Sequence, residues 1–334
     1  MGSTTREEAV AIVSEHLLHP EYARLARDVS FSFEEGLDPV RDALISMTRT
    51  SPPPHDASAS SIVFERFVPS LVPDAPSVRV IVTDPRPRDG EVRPAILHIH
   101  SGGFVLGDAD MTRALDVEFA RQLGAVVVSV DYRLAPETQF PGALEDCYAA
   151  LAWIFGSASD LEIDLSRIAV AGQSAGAGLA AALALLVRDR GEFRLAFQQL
   201  TSAMLDDRTG LTVDPSTWQG EFVWTRQSNV FAWRALLGAS VGTAEVPYLA
   251  APARAEDLSD LPRAFVACGA LDLFLDENVE YGRRLSACGV PVEMRVYAGA
   301  PHSFYSVDGE HTRRYLNDAM YAMASALGVQ RGGD

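Results

Sequence analysis

A serine flanked by small residues is the group in this sequence best placed to do chemistry. Ser174 lies in Gly172-Gln173-Ser174-Ala175-Gly176, a G-x-S-x-G string that follows the apolar run 168–171 and opens an alanine-rich stretch. A strand, a sharp turn and a helix in this order form a nucleophile elbow, which lifts the serine oxygen clear of the backbone at a helix N-terminus. A glycine-rich turn with a helix-capping serine gives the same string, so the neighbouring elements must decide.

A second string could stabilise the negative charge that such a serine creates. His100-Ser101-Gly102-Gly103-Phe104 follows the predicted strand 95–99. Adjacent glycines let backbone N–H groups approach a substrate carbonyl closely, so we expect the amides of Gly102, Gly103 and Ala175 to form an oxyanion hole. The alternative is a metal site at His98 and His100, which share one face of a strand. No further His or Cys follows at ligand spacing, so no metal is expected.

A serine nucleophile also needs a base, and in the elbow fold the base comes last in the chain order Ser, acid, His. Only His302 and His311 follow Ser174. His302 lies in a loop directly after the last predicted strand, whereas His311 lies at the start of the final predicted helix. We therefore predict that His302 is the base and that His311 is a solvated surface residue.

The acid that orients the base is expected in a loop after the preceding strand. Asp272 follows the predicted strand 264–268, and Asp276 and Glu277 are its rivals by residue type. The rivals fall one helical turn further on, where carboxylates favour a helix N-terminus or support a neighbouring site. Asp272 is therefore predicted to fix the imidazole tautomer of His302 and to stabilise its charged form.

The elements that must position these residues alternate between strand and helix. Such alternation predicts a mostly parallel sheet with helices on both faces and active groups on loops beyond the carboxyl ends of the strands. Residues 1–50 read as helical, and the proline-rich stretch 51–60 breaks the pattern. The predicted strands are seven apolar runs at 62–68, 78–82, 95–99, 126–130, 168–171, 264–268 and 292–297.

An irregular region, 205–247, interrupts the alternation and is rich in large aromatic side chains. Together with the N-terminal helices it is predicted to cap the catalytic edge of the sheet, although ordinary core packing explains such aromatics equally well. The predicted organisation is a cap at 1–50, a first core part at 51–204, a cap insertion at 205–247 and a second core part at 248–334. The tentative substrate pocket comprises Ser101, Phe104, Gln173, Trp218, Phe222 and Trp224.

Composition excludes several other chemistries. The 334 residues carry 45 acidic and 28 basic side chains, a formal net charge of -17, so nucleic acid and anionic membrane surfaces are not expected partners. Every basic residue is Arg, which removes Schiff-base, P-loop and Ser-Lys chemistry. Three widely spaced cysteines and no signal-peptide pattern predict a reducing compartment, and a cytoplasmic protein.

Taken together, these motifs resemble the hormone-sensitive-lipase-like branch of the α/β-hydrolases, the bacterial family IV esterases. The resemblance implies an eight-stranded sheet with a helical cap, and hydrolysis of short- to medium-chain acyl esters without a cofactor. It covers nearly the whole chain and rests on the elbow and glycine strings above together with Asp131-Tyr132-Arg133-Leu134-Ala135-Pro136-Glu137, Phe140-Pro141, Glu145-Asp146-Cys147, Met204-Leu205-Asp206-Asp207-Arg208, Asp272-Leu273-Phe274-Leu275-Asp276-Glu277 and the loop 299–304.

Three positions depart from the family pattern: Ser101 and Ser303 replace glycines, and Gln173 replaces an aspartate.

Two other functions remain as alternatives. An amidase would use the same triad, and a non-catalytic small-ligand receptor would use the same fold, although receptors that resemble this family have lost the triad histidine. A homodimer is also a possible assembly, because 292–297 is predicted to be an exposed edge strand.

Overall fold

The computed structural model describes residues 13–50, 61–85, 90 and 92–330. Within these residues the chain forms eight strands and eight α-helices. In chain order they are α1 (Ala23–Asp28), α2 (Asp38–Thr50), β1 (Ser61–Val68), β2 (Val78–Pro85), β3 (Arg93–Ile99), α3 (Arg113–Leu123), β4 (Val126–Asp131), α4 (Gly142–Gly156), β5 (Ile163–Gln173), α5 (Ala175–Arg190), β6 (Phe197–Thr201), α6 (Arg226–Leu237), β7 (Arg263–Gly269), α7 (Leu275–Ala287), β8 (Val292–Tyr297) and α8 (Glu310–Leu327).

The strands form one sheet in the order β1-β2-β4-β3-β5-β6-β7-β8. Strand β2 runs antiparallel to both of its neighbours, and every other pair is parallel. This is the predicted α/β-hydrolase architecture, a mostly parallel sheet of eight strands. Because the parallel strands end at one edge, the loops after β3, β5, β7 and β8 come together there.

Helices cover both faces of the sheet. The apolar core on one face includes side chains of α4, α5 and α7, and the core on the other face includes those of α3 and α8. Strand residues alternate between the two cores, as Leu97 and Ile96 of β3 illustrate. Strands buried on both faces are nearly continuous apolar runs, which is why most of them are visible in the sequence.

Strand β6 is absent from the predicted strands because its centre is polar. Gln198 and Gln199 are both buried. Gln198 donates a hydrogen bond to the carbonyl of Pro262, and Gln199 donates one to the hydroxyl of Tyr315. Partners on distant segments accept from the NH₂ group of each amide, while neither Oε1 atom has a partner among the described residues. The two NH₂ bonds let a polar pair occupy a central strand.

The N-terminal region is less helical than predicted. Its described part contains two single 3-10 turns, the short helix α1, an irregular stretch over 29–37 and then α2. The prediction for 1–12 and the predicted break at 51–60 fall outside the described residues. The irregular stretch contacts the aromatic region 205–247: the Phe31 amide donates to the Val223 carbonyl, and the ring of Phe33 stacks on that of Phe231 at 4.2 Å.

Two surface properties bear on the predicted partners. No helix in the described part of the chain is long and apolar enough to cross a membrane. Strand β8 forms one edge of the sheet, and its Val296 side chain is 49% exposed.

Candidate active site

Ser174 occupies the turn between β5 and α5 and has a backbone conformation that residues other than glycine rarely adopt. Its φ is +55° and its ψ is −123°, outside the regions open to most L-residues. The turn closes against β3: a Cβ atom on Gly176 would lie 2.1 Å from the carbonyl oxygen of Ile99. The string therefore folds into a tight strand-turn-helix that places Ser174 at the N-terminus of α5.

Ser174, His302 and Asp272 form a hydrogen-bonded chain. Nε2 of His302 lies 3.0 Å from Oγ of Ser174, and Nδ1 of His302 lies 2.9 Å from Oδ2 of Asp272. The three residues are 2%, 3% and 0% exposed. When Nδ1 donates to the carboxylate, Nε2 carries no proton and can accept the one on the serine hydroxyl.

The order of the strands explains how residues 128 positions apart meet. Strands β7 and β8 are neighbours, so the loops carrying Asp272 and His302 leave adjacent strand ends. Strands β3 and β5 are also neighbours, so the glycine loop after β3 lies beside the elbow. The sequence places each group at a strand end, and the sheet brings the strand ends together.

Asn278 connects the acid loop to the nucleophile, and it is not among the predicted site residues. Its Oδ1 accepts the Ala203 amide at 3.0 Å, while its Nδ2 donates to the carbonyls of Ala203 and Phe274 at 2.7 and 2.8 Å. One residue on, the Met204 amide donates to the Ser174 carbonyl at 3.1 Å. Its only signal in the sequence is an asparagine one helical turn beyond the acid loop, where a polar side chain is ordinary.

The rival carboxylates bind elsewhere. Asp276 accepts a hydrogen bond from the side chain of Gln219. Glu277 accepts the backbone amide of Leu205 at 3.0 Å and the hydroxyl of Thr209 at 2.7 Å. Burial raises the pKa of the Glu277 carboxyl well above its usual range. Both carboxylates thus hold the segment after β6, not the imidazole of the base.

His311 also lies away from the nucleophile. Its ring stacks on that of His19, with centroids 4.1 Å apart, and its amide donates to the carboxylate of Glu21 at 3.2 Å. The residue is partly buried, so the expectation of a solvated surface histidine was wrong. The N-terminal segment covers this residue, and sequence spacing carries no signal of that contact.

The glycine loop after β3 leaves its amides available. Within the described residues, the amides of Gly102, Gly103 and Ala175 have no hydrogen-bond acceptor. Gly103 has a φ of +60°, and a Cβ atom there would lie 2.3 Å from the ring of Trp224. Only glycine fits this position, because the aromatic ring lies directly on the backbone.

Arg41 of α2 fastens this loop from the N-terminal side. Its Nε donates to the carbonyl of Val105 at 2.9 Å, and its Nη2 donates to the carbonyl of Ala135 at 3.0 Å. The same guanidinium forms a two-point ion pair with Glu137, which lowers the pKa of that carboxyl to about 2. Arg41 therefore connects α2 to the backbone that immediately follows the glycines.

Replacing Arg41 by methionine is expected to lower kcat by about ten- to a hundredfold, because small displacements of a positioned group cost rates of this order. Steady-state kinetics on a nitrophenyl ester measures the effect. Glu137→Gln is the matched control: it removes the exposed ion pair, which contributes little, but leaves the two bonds to backbone carbonyls. Equal losses in the two variants would contradict a role for Arg41 in holding the loop.

His100 is buried at the start of this loop. Its Nδ1 lies 2.7 Å from the Ser101 carbonyl, its ring stacks on Tyr132 at 4.1 Å, and its Nε2 has no partner in the described part of the chain. Burial lowers the pKa of His100 to about 4. The neutral imidazole is therefore the form that the fold stabilises.

This histidine should make the fold sensitive to acid. The pKa of His100 is depressed in the native state, so its stabilising contribution is present above about pH 6.5, its value in an unfolded chain, and is lost as the pH falls towards 4. Between these limits the loss amounts to ~3 kcal/mol of unfolding free energy. Urea titrations at pH 7 and pH 4 should show the wild type losing more stability than His100→Gln. Parallel losses would contradict the assignment.

Gln173 and His98 belong to a buried polar network on the other side of the elbow. Nε2 of His98 lies 3.1 Å from Oε1 of Gln173, and Nδ1 lies 2.5 Å from the carboxylate of Asp116. Thr112 and Ser129 donate to the second oxygen of the same carboxylate. His98 is thus engaged by side chains, and no cluster of three or more His, Cys, Asp or Glu in the described ranges could hold a metal ion.

The aromatic side chains proposed for the pocket do not behave alike. Trp224 is buried, and its ring centroid lies 6.3 Å from that of His302. Phe222 is buried in a small apolar cluster with Leu271. Trp218 is 44% exposed, and its ring contacts His16 instead of the triad. The structure therefore brings Trp224 to the site and leaves Trp218 on the surface.

The remaining pocket candidates lie close to the site. Ser101 and Phe104 flank the two glycines, and Gln173 directly precedes the nucleophile. Ser303 follows the base with a φ of +61°, in the left-handed region that favours glycine. This explains why the family usually has glycine at that position.

Comparisons with known proteins identify relatives of the chain. A family model described as alpha/beta hydrolase fold matches residues 96–306. Esterase LipI of Mycobacterium tuberculosis is 33% identical over 291 residues, which are 83% of this chain and 84% of that protein. Carboxylesterase NlhH of the same species is 34% identical over 72% of each chain. A solved bacterial heroin esterase superposes with a TM-score of 0.84 at 38% identity, covering 93% of this chain and 98% of that one.

The chain therefore belongs to the α/β-hydrolase family. Within that family it is a carboxylic ester hydrolase of the hormone-sensitive-lipase-like branch, the bacterial family IV esterases.

Proposed function

We propose that the chain is a serine carboxylesterase in which Ser174 is the nucleophile, His302 the base and Asp272 the orienting acid. The observation that carries the proposal is the buried hydrogen-bonded chain between these residues, with distances of 3.0 Å and 2.9 Å. It begins at a strained turn on a helix N-terminus, where strain is a common mark of function.

The proposed reaction has two halves. Oγ of Ser174 attacks the acyl carbon while Nε2 of His302 takes the hydroxyl proton, and Asp272 stabilises the imidazolium. The bond to the leaving alcohol breaks as His302 returns that proton to the alcohol oxygen. A water molecule then attacks the acyl-enzyme, giving its proton to His302, and the carboxylic acid leaves as Oγ regains a proton. No cofactor takes part in these steps.

The amides of Gly102, Gly103 and Ala175 are proposed to hold the oxyanion formed in each half. Donors fixed before the reaction stabilise the developing charge without reorganising. These amides are free of other acceptors within the described residues, and Ala175 opens α5, whose N-terminal dipole favours negative charge.

The substrate is proposed to be a small ester with a short to medium acyl chain. The buried ring of Trp224 lies over Gly103 and beside His302, so the site offers an apolar, water-poor surface.

We propose that 51–204 and 248–334 form the catalytic core and that 1–50 and 205–247 form its cap. A homodimer through the exposed edge β8 stays a prediction that a solution mass would check.

Hydrolysis rates across nitrophenyl esters from acetate to palmitate, with mass spectrometry of the quenched enzyme, test the proposal. We expect activity to peak at short chains and an acyl adduct to appear on the peptide carrying Ser174. An adduct on another residue, or no activity with any ester, would refute it. Comparing an anilide with the matching phenyl ester separates an esterase from an amidase, because the two differ in the protonation of the leaving group.

A further inference from the structure

Phe104, the residue after the oxyanion glycines, is held in an unfavourable conformation. Its φ is +66°, in the left-handed region, although it carries a bulky side chain and is 2% exposed. Such a residue persists only where its surroundings over-determine it, and these residues cluster at functional sites. Here the Phe104 carbonyl accepts the Ala135 amide at 2.9 Å, and the ring packs against Trp233 at 5.2 Å between centroids.

The Phe104 ring lies against an apolar slot on α5, the helix that begins directly after Ser174. Gly178, Leu179 and Ala182 of α5 line one wall of the slot, and apolar residues of α4, α6 and the loops beside them line the others. The ring tip lies 3.7 Å from the point where a Cβ of Gly178 would be. The remaining void is about 10 Å³, at the lower limit for a single water molecule.

The position of the base indicates which half of an ester faces this slot. The leaving alcohol must reach Nε2 of His302 to receive its proton, so it lies on the imidazole side of the carbonyl carbon. The rings of Trp224 and Phe274 lie 6.3 and 5.2 Å from that imidazole, centroid to centroid. The acyl chain extends from the carbonyl carbon on the side away from the leaving group. Gly178, in the wall of the apolar slot, follows Ser174 by one helical turn.

We propose that Phe104 is the specificity-determining residue for acyl-chain length: its ring fills the acyl slot and sets the upper length of the short- to medium-chain acyl groups that the enzyme accepts. This inference rests on the proposed function, because it takes Ser174 as the nucleophile and His302 as the base. Truncating the ring should enlarge the slot into a dry apolar cavity, of the kind that accepts apolar groups.

The test compares kcat/KM for nitrophenyl acetate, butyrate, hexanoate and octanoate in the wild type and in Phe104→Ala. The wild type should be most active on the shorter of these esters and least active on octanoate. In the variant the hexanoate-to-acetate ratio should rise at least about tenfold, since each methylene group accommodated in an apolar pocket changes specificity by roughly that factor. A parallel series of alkyl acetates, which lengthens only the alcohol, should keep its wild-type ratios.

Two further variants make the test decisive. Leu179→Ala widens the same slot from α5 and should shift the acyl profile in the same direction. It takes the place of Phe104→Ala in the test if that variant does not fold. Phe193→Ala removes an equal ring outside the slot, where it stacks on Phe155, and should leave the profile unchanged. An unaltered acyl profile in an active variant, or a shift confined to the alcohol series, overturns the inference alone. A wild type inactive on every ester refutes the proposed function and this inference with it.

Discussion

Ser174→Ala and His302→Ala should each reduce kcat by about 10⁴- to 10⁶-fold while the chain stays folded. The reason is the geometry of the pair. Oγ of Ser174 and Nε2 of His302 are 3.0 Å apart, so either change removes the proton transfer that creates the nucleophile. The alanine side chains fit the space left, and thermal unfolding monitored by circular dichroism should remain cooperative in both variants.

The double variant and a histidine control sharpen this prediction. Members of a triad act as a unit, so Ser174→Ala combined with His302→Ala should be scarcely worse than either change alone. His311→Ala, which removes the other histidine that follows the elbow, should keep kcat within about twofold of wild type, because its ring stacks on His19 and its amide bonds to Glu21, away from the triad. Additive losses in the double variant would mean that the pair is misassigned.

Much of the fold is visible in the sequence because burial on both faces makes most strands continuous apolar runs. Strand β6 escaped because Gln198 and Gln199 are buried but hydrogen-bonded to Pro262 and Tyr315. Those partners lie 64 and 116 residues away, so the local pattern cannot reveal that the two NH₂ groups are hydrogen-bonded. The order of strands in the sheet is equally invisible, since it depends on which crossovers pack best.

The candidate site shows the same division between local and distant information. Residues at strand ends could be placed from their own neighbours, as Ser174 and His302 were. The direction of an aromatic ring could not: Trp218 and Trp224 lie in one irregular segment, yet one is exposed and the other covers Gly103. Arg41 was also missed, because its function depends on carbonyl groups 64 and 94 residues further along.

Asp272→Asn should lower kcat by about 10⁴-fold through the wrong imidazole tautomer. In the native chain Oδ2 of Asp272 accepts a hydrogen bond from Nδ1–H of His302, and Oδ1 accepts one from the amide of Phe274. An asparagine can keep the bond to the Phe274 amide with its carbonyl oxygen, which leaves its NH₂ group facing Nδ1. The ring must then carry its proton on Nε2, and it can no longer accept the proton of Ser174.

Asp272→Asn should lower kcat without lowering stability, because the side chain at position 272 keeps its hydrogen bond from the Phe274 amide. Substrate binding and unfolding temperature are expected to change little in Asp272→Asn, while kcat falls. Glu277→Gln gives the opposite pattern: the carboxyl group accepts the Leu205 amide and the Thr209 hydroxyl on separate oxygens, and glutamine offers only one oxygen, so stability should fall more than kcat. Asp276→Asn removes a carboxylate that is bonded only to the Gln219 side chain among the described residues, and kcat should stay within about twofold of wild type. If Asp276→Asn proved more damaging to kcat than Asp272→Asn, the acid would be Asp276 and the proposed triad would be wrong.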